Sequence, residues 1–142
     1  MDNELYTKFP AVLQKLLIDG TLDFPESTKF EYEPILVYRA VERKENDESG
    51  ININDFRSYY ELGKIPKNKT IEEAQKDIDY YSVSSFLDKR IVEQLMHFPN
   101  PKKKMAQGYV YKDGGPQNTN IETQHVSWWL YDGVQVEGFK IL

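Results

Sequence analysis

The order of apolar and polar positions predicts a helix and then a buried strand in the first forty residues. Apolar side chains at positions 12, 13, 16 and 17 share one face of a helix. Pro10 suits the first turn of that helix, and Gly20 suits its end. Residues 34–41 instead form a nearly continuous apolar run, which is typical of a strand covered on both faces.

Capping signals predict short helices in the middle of the chain. Asn54 is a candidate cap for one helix, and Thr70 with Glu73 has the spacing of a capping box for the next. Ser85 and Asp88 mark the start of a third, whose apolar positions are 87, 91, 92, 95 and 96. Pro99 ends that helix.

Two further strands and one long loop are predicted between and after these helices. The strands cover residues 80–84 and 105–111. Residues 112–124 are polar and contain a Gly-Gly-Pro sequence, so we expect a loop. Structureless loops of that length are uncommon in compact domains and are often functional.

The C-terminus has the pattern of a β-hairpin. Residues 125–131 predict one strand, Asp132-Gly133 is a strong two-residue turn signal, and residues 134–142 predict the returning strand. The apolar phase changes at Gly138, where a bulge would restore the pairing. The chain is therefore predicted to be a single α+β domain over residues 1–142. We expect a largely antiparallel, twisted sheet of about five or six strands, flanked by two to four helices.

The charge and the residue composition argue against nucleic acids and metal ions as partners. The chain of 142 residues carries a net charge of −5, and its only basic cluster is the lysine run at 102–104. Nucleic-acid binding is disfavoured, because phosphate-tracking proteins are usually basic over one face. Cysteine is absent and the two histidines are far apart in sequence, so no metal site is expected. His97 is most simply a favourable charge at a helix end.

The same composition predicts a cytoplasmic protein without a membrane span. Lysine outnumbers arginine fourteen to four, and Asn, Ile and Tyr are plentiful. That bias is typical of AT-rich genomes and indicates a low-GC bacterium or its phage.

Arg39 is the most informative single residue. It shares a strand face with Ile35, Val37 and Val41, where a guanidinium is costly unless it is paired or faces a cavity. One interpretation is a buried ion pair with a carboxylate. The other is an anion or phosphate clamp, because the planar guanidinium binds such groups through two hydrogen bonds.

The second predicted strand carries serine hydroxyls at alternate positions. Alternation places Ser82 and Ser84 on one face and Tyr81 on the other. Two hydroxyls in line leave room for a ligand and offer it donors and acceptors. The alternative is a strand end that runs into a serine helix cap.

The strand at 125–131 has two contrasting faces. Trp128 lies between two apolar residues on the face predicted to join the core. His125, Ser127, Trp129 and Tyr131 form the other, which is either a pocket wall or a face covered by a helix or a partner. On this interpretation Trp128 is the buried tryptophan and Trp129 the more exposed one.

Taken in chain order, these features resemble the ADP-ribosyltransferase fold of the arginine–serine–glutamate type. Tyr38-Arg39 is similar to the family's first core strand, whose arginine holds the NAD diphosphate. The run Tyr80-x-Ser82-x-Ser84 with Phe86 resembles the strand that lines the nicotinamide pocket, and residues 112–124 resemble the substrate loop. The resemblance implies NAD as cofactor, held by Arg39, Tyr80, Ser82 and Ser84. If NAD binds, we expect Trp129 or Tyr131 to stack against the base or the nicotinamide.

The chain departs from the family at the catalytic carboxylate. The family has Glu or Gln, any residue, and then the catalytic Glu, whereas this chain has Glu122-Thr123-Gln124 followed by His125. The resemblance therefore places the catalytic carboxylate at Gln124 or His125. Either Glu122 or Glu137 supplies the carboxylate from an altered register, or the fold binds its ligand without that chemistry. The functions left open are an NAD-consuming transferase or glycohydrolase, a non-enzymatic nucleotide-binding module, and a protein-interaction or inhibitor module.

Overall fold

A computed structural model describes residues 3–44, 46–96, 103–136 and 138–142 of the chain. These residues form one open antiparallel sheet with four α-helices, which confirms the predicted α+β class. The strands are β1 (Ile35–Glu42), β2 (Val83–Phe86), β3 (Lys103–Val110), β4 (Gln117–Asn120), β5 (His125–Trp128) and β6 (Lys140–Ile141). The helices are α1 (Ala11–Ile18), α2 (Tyr59–Leu62), α3 (Ile71–Gln75) and α4 (Lys89–Leu95). Short 3₁₀ turns occupy Asn3–Lys8, Ile53–Asp55, Ile78–Tyr81 and Lys112–Gly114.

The sheet order is β4-β5-β2-β1-β3-β6, and the two central strands are barely joined. β1 pairs with β3 along its whole length, from Ile35↔Val110 to Glu42↔Lys103. β1 pairs with β2 at one position only, Tyr38↔Phe86. The sheet therefore consists of two three-stranded halves that meet at a narrow seam between β1 and β2.

The predicted C-terminal hairpin is wrong. β5 pairs with β4 on one side and β2 on the other, while β6 pairs with β3 at the opposite edge of the sheet. The Asp132-Gly133 turn does form, with Gly133 at φ 76°. The residues before it are already engaged, because the amides of Trp129 and Tyr131 donate to the carbonyls of residues 116 and 114.

Part of the predicted loop at 112–124 is thus the strand β4, and Gly115 makes this pairing possible. The backbone at Gly115 has φ 135°, and a Cβ there would lie 1.9 Å from the Trp129 carbonyl oxygen. Only glycine permits that approach. The pairing of 114–116 with 129–131 is a long-range contact for which the polar sequence gives no periodic signal.

Local capping signals are mixed in their outcome. Thr70 and Glu73 form the predicted capping box at α3, and Asp88 caps α4. Ser85 is not a cap but a residue of β2, and α2 is capped by Ser58 rather than Asn54. Pro99 and His97 lie outside the described residues.

Two apolar clusters cover the sheet, and each contains one tryptophan. Trp128 packs with the residues of one cluster, which also holds Val37, Phe56, Val83, Val110, Val126, Val136 and Phe139. Trp129 lies in the other, among residues of the N-terminal helices and of the 3₁₀ turn before β2. Trp128 is 3% exposed and Trp129 is 0% exposed, so the prediction that Trp129 is the more exposed tryptophan is wrong. β5 ends at Trp128, and the next residue enters a core that the N-terminal segment supplies.

Candidate functional site

Arg39 places its guanidinium at the seam between β1 and β2. Its Nη1 donates a hydrogen bond of 2.5 Å to the backbone carbonyl of Ser84. Its Cζ lies 5.2 Å from the centre of the Phe56 ring, a cation–π contact. Its Nε is buried and has no hydrogen-bond partner. Because β1 and β2 pair only at Tyr38↔Phe86, the side chain occupies a gap rather than a regular ladder.

The charge of Arg39 is only partly compensated. Burial lowers the pKa of Arg39 to about 10, and the charge of Asp55 opposes that shift. The group is still a cation at neutral pH. Over the described ranges, no carboxylate forms an ion pair with it. The interpretation of Arg39 as half of a direct buried ion pair is therefore not the arrangement observed.

The buried ion pair in this region belongs instead to Arg43 and Asp55. Arg43 Nη1 and Nη2 lie 2.6 and 2.7 Å from the two carboxylate oxygens of Asp55, and the side chains are 6% and 8% exposed. Asp55 also accepts from the backbone amide of Asn52, closing a capping box around the Ile53–Asp55 turn. The Asn52-x-x-Asp55 spacing is a local signal that the sequence analysis missed.

Phe56 connects Arg39 with an apolar pocket. The pocket has a volume of about 150 Å³. Tyr60 and Tyr81 stand on one side of it, with ring centres 5.1 Å apart. Its other lining residues include Phe56, Ser58, Val83, Leu130, Tyr131 and Val134. Tyr131, a predicted stacking residue, therefore does line a pocket next to the Arg39 seam.

A second, polar cleft lies around His125 on the other face of the sheet. Strand alternation places Ser84, His125 and Ser127 on the face opposite to Arg39. His125 Nε2 is 2.9 Å from Ser84 Oγ, and His125 Nδ1 is 3.5 Å from Ser127 Oγ. The cleft has a volume of about 560 Å³, and its lining includes Ser27, Asp79, residues 118–122, His125 and Ser127.

Asp79 brings into this cleft a carboxylate that the sequence analysis did not select. Burial and the neighbouring charge of Asp77 raise the pKa of Asp79, while His125 and a hydrogen bond from Ser127 oppose the rise. Burial lowers the pKa of His125, and the charge of Asp79 opposes that shift. The neutral form of His125 is therefore favoured, and it carries a free lone pair on one ring nitrogen. No periodic or motif signal marks Asp79, because it reaches the cleft from the 3₁₀ turn before β2.

The structure joins some of the predicted site residues and separates others. Arg39, Ser84 and His125 form a continuous chain of contacts across three adjacent strands, and Glu122 lines the His125 cleft. Ser82 is buried and its hydroxyl donates to the Asp79 carbonyl, so it closes a turn.

Tyr80 and Trp129 belong to the core, and the Trp129 indole donates to the Ile78 carbonyl. The strand predicted at 80–84 is in fact the 3₁₀ turn Ile78–Tyr81 followed by β2 from Val83. This shift explains why Tyr80 and Ser82 do not face a ligand cleft. Glu137 lies outside the described residues.

Compared with protein-family models, with curated proteins and with solved structures, the chain matches none. Across the described part of the chain, no helix is long and apolar enough to cross a membrane. Within the same residues, no group of three or more His, Cys, Asp or Glu side chains is placed to hold a metal ion.

Proposed function

We propose that the protein binds NAD or a related nucleotide through Arg39, as an ADP-ribosyltransferase-like protein. One observation carries the proposal: Arg39 is a cation at the seam between β1 and β2, and its charge is not paired. Its buried Nε has no hydrogen-bond partner, and no carboxylate among the described residues forms an ion pair with it. Burying a charge is costly unless it is paired, and a diphosphate would supply the missing negative charge. The planar guanidinium is suited to two-point contact with phosphate oxygens.

The pocket beside Phe56 supports a ligand that has both a phosphate and a ring. Its walls are mostly aromatic and aliphatic, with the Ser58 and Tyr60 hydroxyls among the polar groups. Its volume of about 150 Å³ suits one heterocycle better than a whole dinucleotide. Phe56 contacts Arg39 and also lines this pocket, so the proposed phosphate and ring positions are adjacent. Tyr131 is the predicted stacking residue that fits this arrangement.

Turnover of the bound nucleotide would require a group that favours positive charge on the ribose. Gln124 and His125 stand where the resemblance places the catalytic carboxylate. Glu122 is exposed in the turn between β4 and β5. The proposal is therefore primarily one of binding, with transfer or hydrolysis as its enzymatic form and a non-enzymatic nucleotide module as the alternative.

Calorimetric titration with NAD, ADP-ribose and nicotinamide tests the binding. We expect NAD and ADP-ribose to bind. Arg39→Ala should weaken that binding by about 2–5 kcal/mol, which is a Kd at least about 30-fold higher. Arg39→Lys should restore little, since an ammonium lacks the planar pair of donors. Arg90→Ala is the matched control, because Arg90 is 83% exposed and pairs with Asp88 at the surface.

Each outcome leads to a different conclusion. Absence of heat with all three ligands in the wild-type protein would refute nucleotide binding and favour a protein-interaction module. Binding without nicotinamide release would identify a non-enzymatic module. Release that Glu122→Gln stops would identify an enzyme with Glu122 as its carboxylate. Melting curves for each variant separate a loss of binding from a loss of fold.

A further inference from the structure

We propose that Ser84 and His125 form a nucleophile–base pair that transfers acyl groups from small polar esters on the sheet face opposite Arg39, at the border of the His125 cleft. This activity is separate from nucleotide binding. The Ser84 hydroxyl is exposed and lies 2.9 Å from His125 Nε2, which is within hydrogen-bond reach for proton removal. The two residues come from adjacent strands, β2 and β5, so the sheet fixes their separation.

His125 has the partners that a general base needs on its second nitrogen. Nδ1 lies 3.5 Å from Ser127 Oγ, and Ser127 hydrogen-bonds toward Asp79. In the arrangement we infer, Nδ1–H donates to Ser127, the Ser127 hydroxyl donates to the Asp79 carboxylate, and Nε2 is free to accept from Ser84. Ser127 and Asp79 are thus positioning residues that act through His125.

Side-chain amides on β4 line the cleft beside His125 and Ser127. Asn120 is directly opposite His125, and Asn118 is directly opposite Ser127 on β4. The Asn120 Oδ1 accepts from the amides of Glu122 and Thr123 at 3.0 and 3.2 Å. Those two bonds fix the orientation of the Asn120 amide group, which lies on the opposite side of β5 from Ser84.

The proposed reaction is ester hydrolysis through an acyl-serine, and water is its only co-reactant. The Ser84 oxygen attacks the ester carbonyl while its proton passes to His125 Nε2. The carbon–oxygen bond to the alcohol then breaks, and the alcohol leaves with the proton from His125. Water, deprotonated by His125, cleaves the acyl-serine, releases the acid and restores the Ser84 hydroxyl.

The test is covalent labelling with a fluorophosphonate, read by intact mass and peptide mapping. We expect one adduct on the wild-type protein, located at Ser84, and none on Ser84→Ala. His125→Gln should slow labelling by about 10²-fold or more. The matched control is Ser49→Ala, because Ser49 is also exposed and its hydroxyl contacts the Asp47 carboxylate rather than an imidazole.

The pH dependence of the labelling rate shows whether Asp79 acts on His125 or only supports the fold. The wild-type labelling rate should rise with pH as His125 loses its proton. Asp79→Asn should move that rise to lower pH, since the Asp79 charge favours the protonated imidazole. Among the described residues, the ionisable groups that line the cleft are Asp79, His125 and Glu122, and the charges of Asp77 and Lys69 also act on Asp79. Glu93→Gln serves as the comparison, because Glu93 is a half-exposed carboxylate outside the cleft and should leave the pH profile unchanged.

Three results would overturn the proposal: no adduct on the wild-type protein, equal labelling of Ser84→Ala, or an unchanged rate in His125→Gln. Nucleotide titration keeps the two proposals distinguishable. The Ser84 hydroxyl lies on the sheet face opposite Arg39, so the contact with NAD that the resemblance implies for Ser84 is not part of the proposed nucleotide site. Ser84→Ala also retains the backbone carbonyl that accepts from Arg39, so it should leave NAD affinity unchanged. Melting curves confirm that both cleft variants are folded.

Discussion

The buried ion pair between Arg43 and Asp55 should make a large contribution to stability. Both carboxylate oxygens are bound by Arg43, and both side chains are less than a tenth exposed. Removing one partner of a buried pair costs about 3–5 kcal/mol, because the other charge is left uncompensated. In Asp55→Asn, Arg43 would still donate to the carbonyls of Glu42 and Gly50. We therefore expect a loss near the lower end, about 3 kcal/mol.

Urea denaturation at pH 7 measures that loss. With a slope of about 2 kcal/mol per molar, 3 kcal/mol moves the midpoint by about 1.5 M. Glu93→Gln is the control, since the Lys89–Glu93 pair is half exposed at 4.0 Å and should cost less than about 1 kcal/mol. The double variant Arg43→Met/Asp55→Asn should lose less than the sum of the single losses, because contacting residues couple by about 0.5–3 kcal/mol.

The pH dependence gives an independent check. Burial alone raises the pKa of Asp55, but the hydrogen bonds from Arg43 and Asn52 and the nearby positive charges outweigh it, so the net shift is downward. A pKa lower in the folded than in the unfolded chain gives stability that is complete above about pH 4 and disappears as the pH falls through the folded value. Asp55→Asn should lack this part of the acid loss. A midpoint shift equal to that of Glu93→Gln, with an unchanged acid profile, would refute the reasoning.

Four further substitutions test the packing and the helix cap. Gly115→Ala should prevent normal folding or cost several kcal/mol, because its Cβ would collide with the Trp129 carbonyl oxygen. Circular dichroism and urea denaturation measure this loss, and a midpoint equal to that of the wild-type protein would contradict it. Trp128→Ala and Trp129→Ala should both cost about 3–5 kcal/mol, and a small loss at Trp129 would place it at the surface. Thr70→Ala should cost about 1 kcal/mol by removing the α3 cap, and no loss in thermal melting would mean that the cap is dispensable.

Local chemistry made part of the fold predictable from sequence. Three features depend only on residues within one or two turns or along one strand. They are the apolar stripe of α1, the apolar run of β1 and the Thr70–Glu73 capping box. Their hydrogen bonds and buried faces form within short stretches of chain, so the order of residues determines them. The α+β class follows from the same local patterns.

The candidate site was predictable as residue types but not as an arrangement. The sequence singled out Arg39, Ser84 and His125, and all three lie in one chain of contacts. It did not indicate that Arg39 lacks a paired carboxylate, or that Asp79 enters the His125 cleft. Both depend on side chains more than ten residues away in sequence, whose approach is set by the packing of other elements.

The Asp132-Gly133 turn shows most directly which part of the fold the sequence does not determine. The sequence determined that the chain reverses there, because Gly133 adopts the positive φ that such a turn requires. Only the tertiary structure decided the strand partners: residues 129 and 131 bond to 116 and 114, and β6 pairs with β3. A turn fixes local backbone angles, whereas strand pairing is decided by competition among all segments whose hydrogen-bonding groups can be buried together.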